Sequence, residues 1–138
     1  IRNTGPRRVT FKLTTLARLM NAADLFGLYG VAPTERLMAN ALRRAGISAV
    51  AQRTATVGGK RYRPDFTIMC KRGAVAIECD NRRAHAGKVS QVRDRARDAT
   101  LRRHGWSVIR FSEADVTSRP EWCIVRVRRA VSSRGGSK

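Results

Sequence analysis

Acidic residues are scarce in this chain. Ten Asp and Glu stand against 29 Lys and Arg, a formal net charge of +19. Such an excess raises self-repulsion in the folded state and draws polyanions. Nucleic acid is the natural one, because clustered Arg and Lys release counterions condensed on phosphates. Aromatics are also few, at 6%. That weighs against an anionic membrane surface, where a basic amphipathic helix needs a bulky apolar face. No apolar run approaches the ~20 residues of a membrane span, and no secretory signal is visible. The chain opens at Ile1 without a Met, as a fragment or a processed product would. Cysteines number three, Cys70, Cys79 and Cys123, and lie far apart. Without a C-x-x-C pair they make no zinc site, and an odd count closes no disulfide set. They read as reduced core thiols in an intracellular setting.

What is present fits one domain. The length is 138 residues, with 42% hydrophobic content, enough for a core without staples. Residues 1–12 are basic and hold Gly5 and Pro6, as an arm would. Leu16, Leu19, Met20, Ala23 and Phe26 are spaced by threes and fours, which predicts a helix over 13–29. Residues 1–32 are therefore read as a basic arm and an N-terminal helix. Pro33-Thr34-Glu35 opens a second helix, with apolar Leu37, Met38, Ala41 and Leu42, and Gly46 stops it. Residues 47–57 and 60–69 predict two strands around a Gly58-Gly59 turn. Ala74 to Ile77 is a continuous apolar run, suited to a strand buried on both faces. A long helix is expected over 88–104, with Val89, Val92, Ala96 and Ala99 as its core stripe. A strand follows over 106–111. Pro120 then starts a last helix with Trp122, Val125 and Val131 turned inward. Residues 132–138 are polar and glycine-rich, which predicts a disordered tail. The main domain spans 33–131. It is an α/β domain with one central sheet.

Three of the few acids fall at or beside buried strands: Asp65, Glu78 and Asp80. Carboxylates near a core are costly unless paired or metal-bound. Glu78 and Asp80 lie two apart and share one face of a strand. Asp65, on the preceding strand, can point at the same spot. Converging carboxylates are the hard-oxygen ligands of Mg²⁺, with Mn²⁺ as a substitute. A metal there would activate a water and neutralise a phosphodiester. The competing reading is simple ion pairing of these acids with Arg63, Arg82, Arg83 or Arg110.

Arg63-Pro64-Asp65-Phe66 followed by Ala76-Ile77-Glu78-Cys79-Asp80 resembles the PD-(D/E)xK nuclease superfamily. Downstream, His85, Gln91, Asp94, Asp98 and His104-Gly105-Trp106 through Phe111 resemble its Vsr-like branch, which includes the EDxHD homing endonucleases. Pro33-Thr34-Glu35 resembles that branch's helix-borne Glu. The likeness spans about residues 33 to 131. It implies a mixed central sheet flanked by helices, with the site at the sheet's edge. It implies a catalytic set of Glu35, Asp65, Glu78, Asp80 and His85. Asp65, Glu78, Asp80 and the carbonyl of Cys79 would be the metal ligands. His85 would move a proton or contact the scissile phosphate, its neutral form being accessible near pH 7. Gln91, Asp94 and Asp98 share one helix face that can look toward the site.

The chain departs from that pattern. The superfamily's Lys belongs two positions after Glu78, where Asp80 stands. The charge-stabilising cation falls instead to Lys88, Arg82, Arg83 or His85. The zinc ligands of Vsr-like repair enzymes are absent, and no aromatic wedge for opening a mismatch is evident. His104, at a helix end, reads as structural, and Trp106 and Trp122 read as core.

Arg63, Arg82, Arg83, Lys88, Arg93, Arg95 and Arg97 are the expected nucleic-acid contacts. Contacts of that kind hold phosphates without base specificity. Arg126, Arg128, Arg129 and the N-terminal arm can extend the surface. The expected partner is duplex DNA, with no membrane, in the cytoplasm or nucleoid of a prokaryotic or phage-infected cell. One site cuts one strand, so a double-strand break calls for a homodimer or two visits. The alternatives are a nuclease fold that binds nucleic acid without cutting, or a basic RNA-associated subunit of a larger assembly.

Overall fold

The computed structural model of the protein describes residues 33–80 and 88–138. The expected arm and helix within 1–32 lie outside the described residues.

Helix α1 spans Pro33–Arg44, with Met38, Ala39, Ala41 and Leu42 buried and Leu37 exposed. Gly46, at φ +72°, ends it in a left-handed turn, where glycine bears no steric penalty. Six strands follow in two sheets. The main one runs β1 (Val50–Ala51), β4 (Phe66–Cys70), β5 (Gly73–Asp80), β6 (Trp106–Ser112) in spatial order. β1 and β5 each pair antiparallel with β4, and β5 pairs parallel with β6. The parallel pair needs a crossover, and helix α2 (Lys88–Arg103) supplies it. Helices α3 (Glu113–Ser118) and α4 (Pro120–Ser133) complete the chain. The mixed central sheet flanked by helices is the expected architecture.

The sheet carries two unequal cores. Val75, Ile77 and Cys79 of β5 face one side, where α1, α3 and α4 cover them with Met38, Leu42, Val116 and Val127. Ala74 and Ala76 face the other, under Leu101 of α2, Tyr62 and Trp106. By alternation Glu78 and Asp80 continue this second, thinner face. The three cysteines are free and buried.

Several local expectations are corrected. The strands expected over 47–57 and 60–69 are each broken in two. β2 (Ala55–Val57) and β3 (Lys60–Tyr62) leave the main sheet as a separate hairpin. One break is at Gln52, whose φ of +55° is left-handed. The other precedes β4 at Arg63-Pro64, where proline has no N–H for a ladder. The core stripe of α2 is different as well. Val92 is 62% exposed and Ala96 and Ala99 are exposed, while Asp98 and Leu101 are buried. That helix turns part of a polar face inward because it walls a cleft. In α4, Val125 is exposed and Cys123, Ile124 and Val127 point in.

Residues 132–138 are not a disordered tail. Gly135 and Gly136 take φ of +85° and +88°. The Gly136 N–H donates to Val131 O and the Gly135 N–H to Ser132 O, closing α4 with a Schellman cap. The chain then bonds to the sheet edge, Lys71 N–H to Gly136 O and Lys138 N–H to Met69 O. Helix α3 was not foreseen. Its sequence signal is Ser112 followed by Asp115, which exchange the two bonds of a capping box.

Candidate active cleft

Asp65 sits at the bend between the hairpin and β4, and its surroundings follow from that bend. The Gln52 N–H donates to the Asp65 backbone carbonyl at 3.0 Å, tying the two breaks together. The left-handed turn at Gln52 also directs its side chain at two acids. Its Nε2 donates to Glu35 Oε2 at 3.0 Å and reaches Asp65 Oδ1 at 3.4 Å. On β5 the Cys79 N–H donates to Asp65 Oδ2 at 2.7 Å. Glu35 arrives from the first turn of α1, so helix, hairpin and central strand meet here.

The pairing of Glu35 with Asp65 has an electrostatic signature. The Glu35 carboxyl is pushed up to about 7, first by burial, then by the Asp65 charge and a hydrogen bond with Asp65. Gln52 and the Arg63 charge oppose that rise without cancelling it. A negative charge this close disfavours the ionised form of Glu35.

A cleft of about 450 Å³ opens beside them, with Asp65, Glu78, Cys79 and Asp80 on the sheet side. Asp94, Arg97 and Arg110 complete its wall. Arg110 grips Asp98 with two bonds of 2.6 and 2.8 Å. Burial alone would raise Asp98, but those bonds and the guanidinium charge carry it below the usual range. Arg110 also stands 3.0 Å from Glu78 Oε2, and Arg97 stands 3.5 Å from the same atom. These are charge contacts without hydrogen-bond geometry, since Glu78 Oε2 is buried with no hydrogen-bond partner. Burial therefore dominates and pushes Glu78 up, against the two arginines. Arg97 makes a second ion pair with Asp94 at 3.4 Å and lies over the Tyr62 ring, 5.3 Å from its centroid.

The structure thus brings Asp65, Glu78 and Asp80 to one cleft and adds Glu35 through Gln52. The ion-pair reading holds for Glu78, through Arg110. Asp65 instead takes bonds from a backbone N–H and an amide. Cys79 contributes backbone, for its thiol is buried in the core and pushed up by burial. Asp94 and Asp98 face the cleft side of α2, while Gln91 is exposed. His85, Arg82 and Arg83 lie outside the described residues, and so does the side chain of Lys88 at the start of α2. Arg63, Arg93 and Arg95 are exposed. His104 caps α2 through Nδ1 and the Thr100 carbonyl at 2.8 Å. Trp106 is core, and Trp122 is half-buried against Phe111. Two residues of the site were not marked by the sequence. Gln52 carries no motif of its own. Arg110 stood out only as a possible partner for an acid.

Among the described residues, no three His, Cys, Asp or Glu side chains gather closely enough to hold one ion together. The close pair is Glu35 and Asp65.

A mixed sheet flanked by helices, with carboxylates collected where β4 and β5 meet a helix, is compatible with the restriction-endonuclease-like fold. The model of REase_MTES_1575, a restriction-endonuclease-like family, matches residues 35–131, and the chain belongs to that family. Membership points to nuclease function. No curated protein and no solved structure matches the chain.

Proposed function

We propose that the protein is a metal-dependent DNA endonuclease of the Vsr-like and EDxHD branch. It hydrolyses phosphodiester bonds of duplex DNA in the cleft between Asp65 and Arg97. The observation that carries this reading is the Glu35–Gln52–Asp65 arrangement. A fold that forces two carboxylates together in so basic a chain bears an electrostatic cost, and a divalent cation offsets it.

The donor set fits Mg²⁺ in part. Asp65 would be the central ligand, with Asp80 and the Cys79 carbonyl as further donors. In a strand, a residue's N–H and C=O leave on the same side, and the Cys79 N–H already faces Asp65. When bound, Mg²⁺ or Mn²⁺ would lower the pKa of a water and neutralise phosphate charge. Glu35, linked to Asp65 through Gln52, would act as the general base that takes the proton of the attacking water. Arg97 is 40% exposed on the cleft wall. It supplies the positive charge that the missing Lys would bring to the phosphate. Glu78 orients Arg97 and Arg110, and His85 serves the leaving group. One cleft cuts one strand, so a double-strand break would take a homodimer or two visits.

The test is cleavage of duplex, nicked, branched and single-stranded DNA with Mg²⁺ or EDTA, beside Asp65→Ala. Mg²⁺-dependent cutting is expected, and Asp65→Ala should lose roughly 100-fold or more while still binding DNA. Cleavage that survives Asp65→Ala removes the proposal. Binding with no cutting of any form supports the second reading, a nuclease fold that holds nucleic acid without catalysis. The capture of Glu78 by Arg110 favours that alternative.

A further inference from the structure

The β2–β3 hairpin and α2 enclose a second groove, of about 280 Å³. Its floor is apolar, from Val57, Tyr62 and Leu101, and its rim carries Lys60, Arg61, Arg93 and Arg97. No acid lines it. On α2 the lining positions 93, 96, 97, 100 and 101 recur by threes and fours, so they form one helix face. Arg95 is off that face. The groove is a built feature. At the hairpin tip, a Cβ on Gly58 would stand 3.0 Å from Thr100 and 3.1 Å from His104, so hairpin and helix already touch. Among the described residues, Arg97 is the rim cation with ion-pair partners. Lys60, Arg61 and Arg93 are left facing solvent. Arg97 lines both this groove and the cleft, so the two are adjacent and share a wall.

We propose that this groove is the track for the nucleic-acid strand entering the cleft. Phosphates lie on Lys60, Arg61 and Arg93, and a sugar or base lies over the apolar floor. A cationic groove with an apolar or aromatic surface is the chemistry that follows a nucleic-acid backbone. Four rim cations, three of them without an ion pair among the described residues, select a polyanion, and adjacency to the cleft places one of its phosphates at Arg97. The inference rests on the nuclease reading for its direction, but it concerns binding and is tested without cleavage.

The experiment measures the affinity of labelled duplex and single-stranded oligonucleotides in EDTA across a salt series. Wild type is compared with Arg61→Ala/Arg93→Ala and with Arg43→Ala/Arg44→Ala, a control of equal charge change at the end of α1. All four arginines are exposed, and melting temperatures check folding. Losing two phosphate contacts should lower the slope of log K against log salt by about 1.4 for a single strand or about 1.8 for a duplex. The groove variant is therefore expected to weaken roughly 10-fold or more at 0.15 M salt, and the control by much less. Equal losses in the two variants, no loss in the groove variant, or no binding by wild type each overturn the proposal. Loss of cleavage with Asp65→Ala, or its persistence, leaves this outcome unmoved, so the two readings fail separately.

Discussion

At the scale of single residues, Glu35 carries the sharpest consequence. Its carboxyl moves from an ordinary 4.5 to about 7, chiefly through burial and then through Asp65. A folded-state value above the unfolded one means the native state holds that proton more tightly. The corresponding stability is fully present below about pH 4.5 and is lost as pH rises through about 7. Wild type should therefore lose more stability than Glu35→Gln between pH 5 and pH 8. The difference should be about 1 kcal/mol, allowing for solvent screening of a half-buried group. Urea denaturation of both proteins at the two pH values checks it. Parallel changes would mean that Glu35 does not hold a proton in the fold. Asp65, Glu78 and Asp80 were legible because acids are so few that each one beside an apolar run asks for a reason, whereas Glu35 was legible only through the family resemblance of Pro33-Thr34-Glu35. Gln52 was not legible. A neutral amide in a strand-like stretch gives no signal until the backbone at φ +55° aims it at two carboxylates.

At the scale of elements, periodicity gave helices α1 and α4 and the central strand, because each buries an apolar stripe or run long enough to be read, and it gave the span of α2 without its buried face. It failed where burial and polarity part company. The inner face of α2 includes Asp94 and Asp98, so its exposed alanines and Val92 misled the pattern. The glycines near the end looked like disorder by composition but act as a helix cap. Glycine also permits a close backbone approach between two strands. A Cβ on Gly73 would lie 1.9 Å from the Gly105 carbonyl oxygen, with φ at +117°. That contact is backbone on backbone, where β5 and β6 begin side by side, and no rotamer change relieves it. Gly73→Ala should therefore cost at least about 3 kcal/mol, in the range of strained backbone substitutions. Gly46 also has a positive φ, +72°, but a Cβ there meets nothing within 4 Å. Gly46→Ala should cost only about 1 kcal/mol, the penalty of left-handed backbone alone. Denaturant midpoints of the two variants separate clash from conformational preference. Similar losses would show that the Gly73–Gly105 approach relaxes.

Across the whole molecule, the acids are not spread to neutralise the cations. Asp65, Glu78, Asp80 and Asp94 line the cleft, with Asp98 behind Arg110 and Glu35 behind Gln52. Glu113, Asp115 and Glu121 are the described acids elsewhere. With a net charge of +19, the remaining surface is dominated by like charges that repel one another. Screening weakens that repulsion, since the Debye length falls from about 10 Å at 0.1 M to about 3 Å at 1 M. The attractive pairs at the cleft are partly buried, and salt screens those much less. Added potassium chloride should therefore raise the melting temperature, by several degrees between 0.05 and 0.5 M. Duplex DNA should raise it further at constant ionic strength, because a ligand that binds only the native state stabilises it by mass action. A thermal series in salt, with and without DNA, measures both effects. A melting temperature that falls with salt would mean that cleft ion pairs, rather than surface repulsion, govern stability. A rise with salt but no response to DNA would leave the net charge a feature of solubility instead of recognition.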